Sequence, residues 1–237
     1  MKKMVAILLC WMMISSLLSC DLTEDQDDVL PDEKVDADLS GQIEKDNTTN
    51  AAQSSKADIA MEMYDMVLKN EIRVYETDIE EYNYLKDCKT PYNRIPLCEL
   101  ESLRYVYMDV DGDLIDELVM DCSDILVLRY YEGTVYVYPF TFRNMYRLNT
   151  DGSYNWNHTG QDFEYGENQL AFNGAELETK ELWRIVNDGA PNAEYYIEDK
   201  QVTQQEILKY FADNPKTEVE FLSHVSWEGK EYPDEKG

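Results

Sequence analysis

Four segments between residues 104 and 142 constrain the fold more than any other feature of the chain. They cover residues 104–108, 117–121, 125–131 and 134–142, and each is rich in Val, Leu, Tyr or Phe. Short runs of this kind, separated by turn residues, are typical of β-strands. A Glu-Gly pair lies between the last two runs and indicates a tight hairpin. The region therefore predicts an antiparallel sheet.

The strand pattern continues towards the C-terminus. The Asn-Thr-Asp-Gly sequence at 149–152 indicates a second hairpin, between strands at 145–148 and 154–156. Further strands are predicted at residues 169–172, 182–186, 193–197 and 219–224. Residues 77–100 contain Pro91 and Pro96 and are predicted to be mostly irregular.

Two helices are predicted beside these strands. Apolar residues recur at helical spacing from Ile59 to Val67 and predict a helix over about residues 58–72. A second helix is expected at 204–213, where Thr203 opens a capping box. The expected fold class is α+β, with an antiparallel β-sheet and an N-terminal and a C-terminal helix packed against it.

The N-terminus has the pattern of an export signal. Lys2 and Lys3 precede an apolar run over residues 4–14, which is short for a transmembrane helix. The Leu-Leu-Ser-Cys sequence that ends at Cys20 resembles the bacterial lipobox. The resemblance implies that the Cys20 thiol carries diacylglycerol, that residues 1–19 are removed, and that the new terminal amine is often acylated. An ordinary secretory signal with a chance cysteine is the alternative.

Residues 21–57 contain no aromatic residue and are rich in acidic and small polar residues. Such a composition buries too little apolar surface to offset the entropy of ordering. The expected organisation is therefore a lipidated cysteine with a disordered acidic tether at 20–57, a single α+β domain at 58–226, and a flexible tail at 227–237. The predicted location is the cell membrane, with the protein lipid-anchored and facing the exterior or the periplasm.

The charge of the chain excludes one class of partner. The sequence has 49 acidic and 21 basic residues and a formal net charge of -28. It therefore repels phosphate backbones, and nucleic-acid binding is not expected. The same charge repels anionic lipid, so membrane contact is expected through the lipid anchor. Most of the carboxylates are interpreted as a solvated surface.

Three cysteines follow the proposed lipidation site: Cys88, Cys98 and Cys122. Three partly buried, reduced thiols are the favoured interpretation. A disulfide between Cys88 and Cys98 is the alternative in an exported protein. A zinc site is not expected, because the chain has no CxxC pair and no His near these cysteines.

One segment has specific chemistry. Residues 107–119 read YMDVDGDLIDELV, in which three aspartates alternate and a glutamate follows. A hard cation such as calcium needs several oxygen ligands that converge within a few ångströms. Alternate positions of the loop would provide them, through side-chain oxygens of Asp109, Asp111, Asp113 and Glu117 and the backbone carbonyl of Ile115. An acidic turn without metal is the competing interpretation.

This loop resembles the calcium loops of EF-hands, dockerins and integrin-type propeller repeats, and its strand-loop-strand setting is closest to the propeller version. It departs from EF-hands at three positions. Gly112 is fourth, Leu114 takes the sixth position that Gly usually holds, and Met120 replaces the bidentate Glu at position twelve. A non-Gly residue at positive φ costs about 1 kcal/mol.

A wider resemblance covers most of residues 57–222. The helix, the DxDGD loop, the Tyr-Tyr-Glu-Gly-Thr-Val-Tyr run at 130–136 and the Asp151-Gly152 pair resemble uncharacterised lipoproteins of clostridial gut bacteria. The resemblance implies this architecture and a cell-surface location, and it brings no activity.

The sequence favours binding over catalysis. It contains no GxSxG, P-loop, GxGxxG or HExxH motif. The expected function is a membrane-anchored surface lipoprotein that acts as a non-catalytic binding or interaction module for an extracellular or periplasmic ligand, with calcium as a stabilising ion. The alternative is a small surface hydrolase that cleaves glycan or peptide through carboxylates. The many tyrosines are interpreted as lining half-buried sheet faces, and an aromatic sugar-binding platform is the alternative.

Overall fold

The computed structural model describes residues 55–158 and 163–225. Helix α1 covers residues 55–68, and helix α2 covers Gln204–Asp213. The described residues also contain thirteen strands, which form two sheets. The described chain is therefore α+β and dominated by antiparallel sheet, as the sequence predicts.

The first sheet has seven strands in the order β13-β3-β4-β5-β6-β1-β2. In chain order these are β1 (Arg73–Glu76), β2 (Glu81–Tyr84), β3 (Arg104–Met108), β4 (Glu117–Asp121), β5 (Ile125–Tyr131), β6 (Thr134–Phe140) and β13 (Ser223–His224).

The second sheet has six strands in the order β12-β11-β10-β9-β8-β7. They are β7 (Arg147–Leu148), β8 (Ser153–His158), β9 (Glu164–Asn173), β10 (Glu176–Val186), β11 (Glu194–Ile197) and β12 (Lys200–Val202).

The expectation of one antiparallel sheet is wrong in two respects. The strands divide into two sheets, and β1 pairs in parallel with β6 through Tyr75 with Tyr136 and Glu76 with Val137. Strand β1 lies between the predicted helix and the predicted irregular segment, and β2 lies within that irregular segment. Their sequences, RVYE and EYNY, have too little apolar character to stand out. The β1–β6 pairing depends on tertiary contacts and cannot be predicted from local propensity.

Several boundaries are confirmed. Strands β3, β4 and β5 and helix α2 begin and end where the pattern predicts. The capping box is present as well, because the Thr203 side chain accepts from the Glu206 N–H while the Glu206 carboxylate accepts from the Thr203 N–H. The last predicted strand is shortened to Ser223–His224.

Three apolar clusters pack against the faces of the two sheets. Helix α1 contributes Ala60, Tyr64 and Val67 to a cluster with one face of the first sheet. The opposite face, with Val119 and Val127, packs against residues of the second sheet in a second cluster. Helix α2 contributes Ile207 to a third cluster, on the far side of the second sheet. The two sheets are thus packed face to face, with a helix against each outer face.

Two groups of predictions lie outside the described residues: the signal, the lipidation site at Cys20 and the tether up to residue 54, and the tail at 227–237. Residues 55–57, predicted as the end of the tether, instead form the start of α1. Neither helix of the described chain is both long enough and apolar enough to span a bilayer.

Candidate functional site

The acidic loop between β3 and β4 is closed by the side chain of Asp109. Its carboxylate accepts the backbone N–H groups of Gly112 at 2.7 Å, Asp113 at 3.1 Å and Leu114 at 3.0 Å. Gly112 has φ 82° and Leu114 has φ 67°. The prediction that Leu114 would be forced into the left-handed region is therefore confirmed.

Residues on both sides of the loop fix its position. Val110 and Leu118 are fully buried. The N–H of Val110 donates to Oε2 of Glu117 at 3.1 Å. Gly152, at φ 76°, lies so close that an added Cβ would be 1.9 Å from the carbonyl oxygen of Val110. Only glycine fits this contact between the two hairpins.

Arg129 on β5 is the centre of the acidic cluster. Its guanidinium bonds Glu117 at 2.7 Å, Asp111 at 3.1 Å and Asp113 at 2.9 Å. Its Nε donates to the carbonyl of Gly174 at 3.2 Å, and its guanidinium carbon lies 4.5 Å from the ring centroid of Phe172. The arginine thus ties the loop of the first sheet to the hairpin of the second sheet.

The cluster contains more negative charge than one arginine balances. Glu117 is completely buried, and burial raises its pKa to about 8 against the opposing effects of the Val110 N–H and Arg129. Burial also raises the pKa of Asp111, and Arg129 opposes this shift. Burial and the nearby charge of Asp109 raise the pKa of Asp116. The loop therefore disfavours full ionisation of its own carboxylates.

The structure places the five predicted ligands in different roles. Oxygens of Asp109, Asp111 and Glu117 lie within 4.8 Å of one another, so this triad could hold a metal ion. Asp113 lies outside the triad and bonds Arg129. Ile115 donates its N–H to Asp113 and packs its side chain in the core beneath the first sheet.

Arg129 is a site residue that was not predicted from the sequence. The signal was a charged residue inside an apolar strand, two positions after Val127 and hence on the same face. Leu118 pairs with Leu128, so Glu117 and Arg129 are neighbours across adjacent strands. An arginine on a buried face indicates a carboxylate partner.

A cleft of about 700 Å³ is lined by residues of both sheets. The first sheet contributes residues at the end of β6 and after β1. The second sheet contributes most of the polar and aromatic side chains, which are Tyr154, Trp156, His158, Glu164, Asn168, Thr179, Glu181 and Arg184.

Strand register places these side chains on one face of the second sheet. Across β8 and β9, Trp156 lies opposite Gly166 and His158 lies opposite Glu164. Across β9 and β10, Gly166 lies opposite Arg184. Alternate residues of neighbouring strands therefore converge on the cleft.

An irregularity in β10 brings Glu181 and Arg184 to the same face. Residues three apart in a regular strand point to opposite faces. The register shifts between Glu181 and Trp183, which leaves Leu182 without a partner on β9. Because of this extra residue, Nε of Arg184 bonds Glu181 at 3.2 Å, while its Nη1 bonds Glu164 at 3.1 Å.

The floor of the cleft is built on a glycine. A Cβ added at Gly166 would lie 2.8 Å from the Trp156 indole and 2.4 Å from the carbonyl of Trp183. The indole therefore occupies the space that a side chain would need. Its Nε1 donates to Asn168 at 3.0 Å, and Asn168 in turn donates to the Tyr154 hydroxyl at 3.1 Å.

None of the three cysteines in the described part of the chain forms a disulfide; Cys88 and Cys122 are buried and Cys98 is partly exposed. Burial raises the pKa of Cys122 to about 12 and that of Cys88 further. A buried thiol that stays protonated is a poor nucleophile. These two cysteines therefore act as small core residues.

No protein-family model, no curated protein and no solved structure matches this chain.

Proposed function

We propose that this protein is a membrane-anchored surface lipoprotein whose folded part is a non-catalytic binding module, with the cleft as its ligand site. The cleft has a volume within the range of small-ligand sites, and it combines aromatic side chains with a few polar groups. The observation that carries the proposal is the symmetric pairing of Glu164 and Glu181 with Arg184.

This pairing favours binding over hydrolysis. A hydrolase that uses two carboxyl groups needs one held protonated and the other ionised, and so requires two different environments. Glu164 and Glu181 bond the same guanidinium, and their side chains are 29% and 24% exposed. Their environments are too similar for an acid and a base.

The lipid anchor at Cys20 is supported by the signal sequence. Acyl chains on this cysteine would hold the module at the exterior or periplasmic face of the membrane. Replacing Cys20 by Ser is expected to release the protein or to leave an unprocessed precursor. Mass spectrometry of the native protein should find a lipid-modified Cys20 as the first residue, and an unmodified thiol there would exclude the anchor.

Calcium is proposed as the ion of the acidic loop. The triad of Asp109, Asp111 and Glu117 offers only oxygen ligands, which suit a hard cation. Three carboxylates bond the single guanidinium of Arg129, and Asp109 lies close to two of them, so a divalent cation would reduce the remaining repulsion. Calcium should raise the melting temperature, and Asp111→Asn should abolish the effect. A melt unchanged by calcium at about 1 mM, a concentration typical of extracellular modules, would remove calcium from the proposal.

The binding function is tested by saturation-transfer NMR with the full chain. The probes are mixtures of neutral oligosaccharides, acidic oligosaccharides, basic peptides and acidic peptides. At least one class should receive saturation, should lose it with Arg184→Met, and should remain chemically unchanged after prolonged incubation. Cleavage of a probe would favour the hydrolase, and no transfer to any class would exclude the cleft as a site for these ligands.

A further inference from the structure

The chemistry of the cleft indicates the class of ligand. We infer that the cleft binds a neutral glycan, an uncharged oligosaccharide recognised through its hydroxyl groups. This inference rests on the proposed binding function and adds the ligand class to it. Three features carry it: the charge of the cleft, the commitment of its ionic groups to one another, and the aromatic and amide groups between them.

The charge of the cleft disfavours anionic ligands. Asp78, Glu164 and Glu181 line it together with the single cation Arg184. The whole chain carries a formal net charge of -28. Sugar acids, phosphorylated ligands and acidic peptides would therefore meet repulsion both on approach and in the site.

Cationic ligands are disfavoured for a different reason. Each of the three carboxylates already has an arginine partner: Asp78 bonds Arg94 at 3.0 Å, while Glu164 and Glu181 share Arg184. A lysine or arginine side chain of a peptide would have to displace a guanidinium that holds its carboxylate in place. It would then exchange one ion pair for another and gain little.

Such internally paired groups suit hydroxyl ligands. A guanidinium has five N–H donors in a fixed plane, and two of them bond Glu164 and Glu181. The carboxylates retain acceptor capacity beside these donors. A vicinal diol needs a donor and an acceptor at neighbouring positions, and the Glu181–Arg184 pair presents both.

Uncharged side chains of the cleft also offer hydrogen-bond donors and acceptors to sugar hydroxyls. Asn168 is oriented by the Trp156 N–H and the Tyr154 hydroxyl, and one N–H of its amide is left after these two bonds. Thr179 and Asn144 line the cleft as well. Oriented amides and hydroxyls recognise sugar hydroxyls with little loss of side-chain entropy.

Aromatic rings provide the apolar complement. The Trp156 and His158 rings lie with centroids 4.9 Å apart, and His158 is exposed at the end of β8. Phe140 and Tyr154 form a second ring pair, with centroids 5.7 Å apart. Tyr154, Trp156 and Phe140 are only 3%, 7% and 8% exposed and form the base of the cleft. The exposed His158 ring beside Trp156 is therefore the apolar surface that the C–H face of a pyranose can meet, while its edge hydroxyls meet the polar groups.

The experiment is a glycan array probed with the full chain, followed by calorimetry on the neutral oligosaccharide that binds best. Neutral glycans should dominate the array. Their affinity should change less than about twofold between ~50 mM and ~500 mM NaCl, because no net charge is neutralised. Glu181→Gln and His158→Ala should each weaken binding about tenfold, which corresponds to about 1.4 kcal/mol.

Glu178→Gln is the matched control. Glu178 is exposed on the same strand, three residues before Glu181 and on the opposite face. Its substitution removes the same charge from β10 and should leave the affinity unchanged. Equal losses in Glu178→Gln and Glu181→Gln would show that overall charge matters rather than the cleft, and would overturn the inference.

The other outcomes separate the inference from the proposed function. Binding of basic peptides with a steep salt dependence, lost in Arg184→Met, would keep the binding module and exclude the neutral glycan. A preference for glycans with uronic or sialic acids would also keep the binding module and exclude the neutral glycan. If none of these probes binds while the melting temperature shows a folded chain, both the ligand class and the cleft site fail.

Discussion

Replacement of Arg129 by methionine tests the central interaction of the acidic cluster. The arginine side chain is only 10% exposed, and Glu117 beside it is fully buried. Methionine fills most of the volume but leaves the Glu117 carboxylate with the Val110 N–H as its remaining partner among those described. Breaking a buried ion pair by removing one partner typically costs about 3–5 kcal/mol.

The size of this loss should depend on pH, because the folded-state pKa of Glu117 is about 8. At about pH 9 Glu117 is ionised in the wild-type protein, and the full ion-pair cost is expected. At about pH 6 Glu117 carries a proton, so mainly the bonds of Arg129 to Asp111 and Asp113 are lost, at about 1–3 kcal/mol. The cost of Arg129→Met should therefore grow as the pH rises.

Urea unfolding followed by tryptophan fluorescence, with chelator present, measures these free energies. Arg184→Met is the matched control, because Arg184 also bonds two carboxylates but its side chain is 25% exposed. Its free energy of unfolding should fall by less than about 1 kcal/mol at either pH. If Arg129→Met lowers the free energy of unfolding no more than Arg184→Met at about pH 9, the ion pairs of Arg129 do not stabilise the fold as a buried network.

Three further predictions follow. Gly166→Ala should lower the free energy of unfolding by about 1–3 kcal/mol, because the new Cβ overlaps the Trp156 indole. It should also change the near-ultraviolet circular dichroism of Trp156. An unchanged spectrum would contradict the close packing of Trp156 on Gly166. Thr203→Ala should cost about 1 kcal/mol in urea unfolding by removing the cap of α2, and no loss would mean that the capping box contributes nothing. The pKa of Glu117 rises from its ordinary value of 4.5 to about 8 in the folded protein. Between these two pH values the folded chain binds more protons at Glu117 than the unfolded chain does. The free energy of unfolding should therefore fall as the pH rises from about 4.5 to about 8. Glu117→Gln should reduce that slope, and identical slopes for the two proteins would refute the raised pKa.

The part of the fold that the sequence predicts is the part encoded locally. Strands β3 to β5 are apolar runs bounded by turn residues, and α2 has a complete capping box. Leu114, at the loop position where the calcium loops it resembles usually have Gly, also has a positive φ. In each case the signal lies within about ten residues and needs no tertiary contact.

The remainder depends on contacts between distant segments. The division into two sheets, the parallel β1–β6 pair and the irregularity at Leu182 have no local signal. The cleft has no local signal either, because its lining residues come from separate segments between Thr77 and Arg184. The acidic loop was visible because its aspartates are adjacent in sequence, whereas Arg129 lies 12 positions beyond Glu117.

The two sites are connected through the turn between β9 and β10. Arg129 donates to the carbonyl of Gly174, and the Tyr138 hydroxyl donates to the carbonyl of Ala175. This turn begins β10, the strand that carries Glu181 and Arg184 into the cleft. Because the acidic loop holds Arg129 and Arg129 holds the turn, the loop supports the strand that forms one wall of the cleft. Loss of the cluster should therefore loosen that wall, and a cation that stiffens the loop should steady it, although no residue of the loop reaches the ligand site.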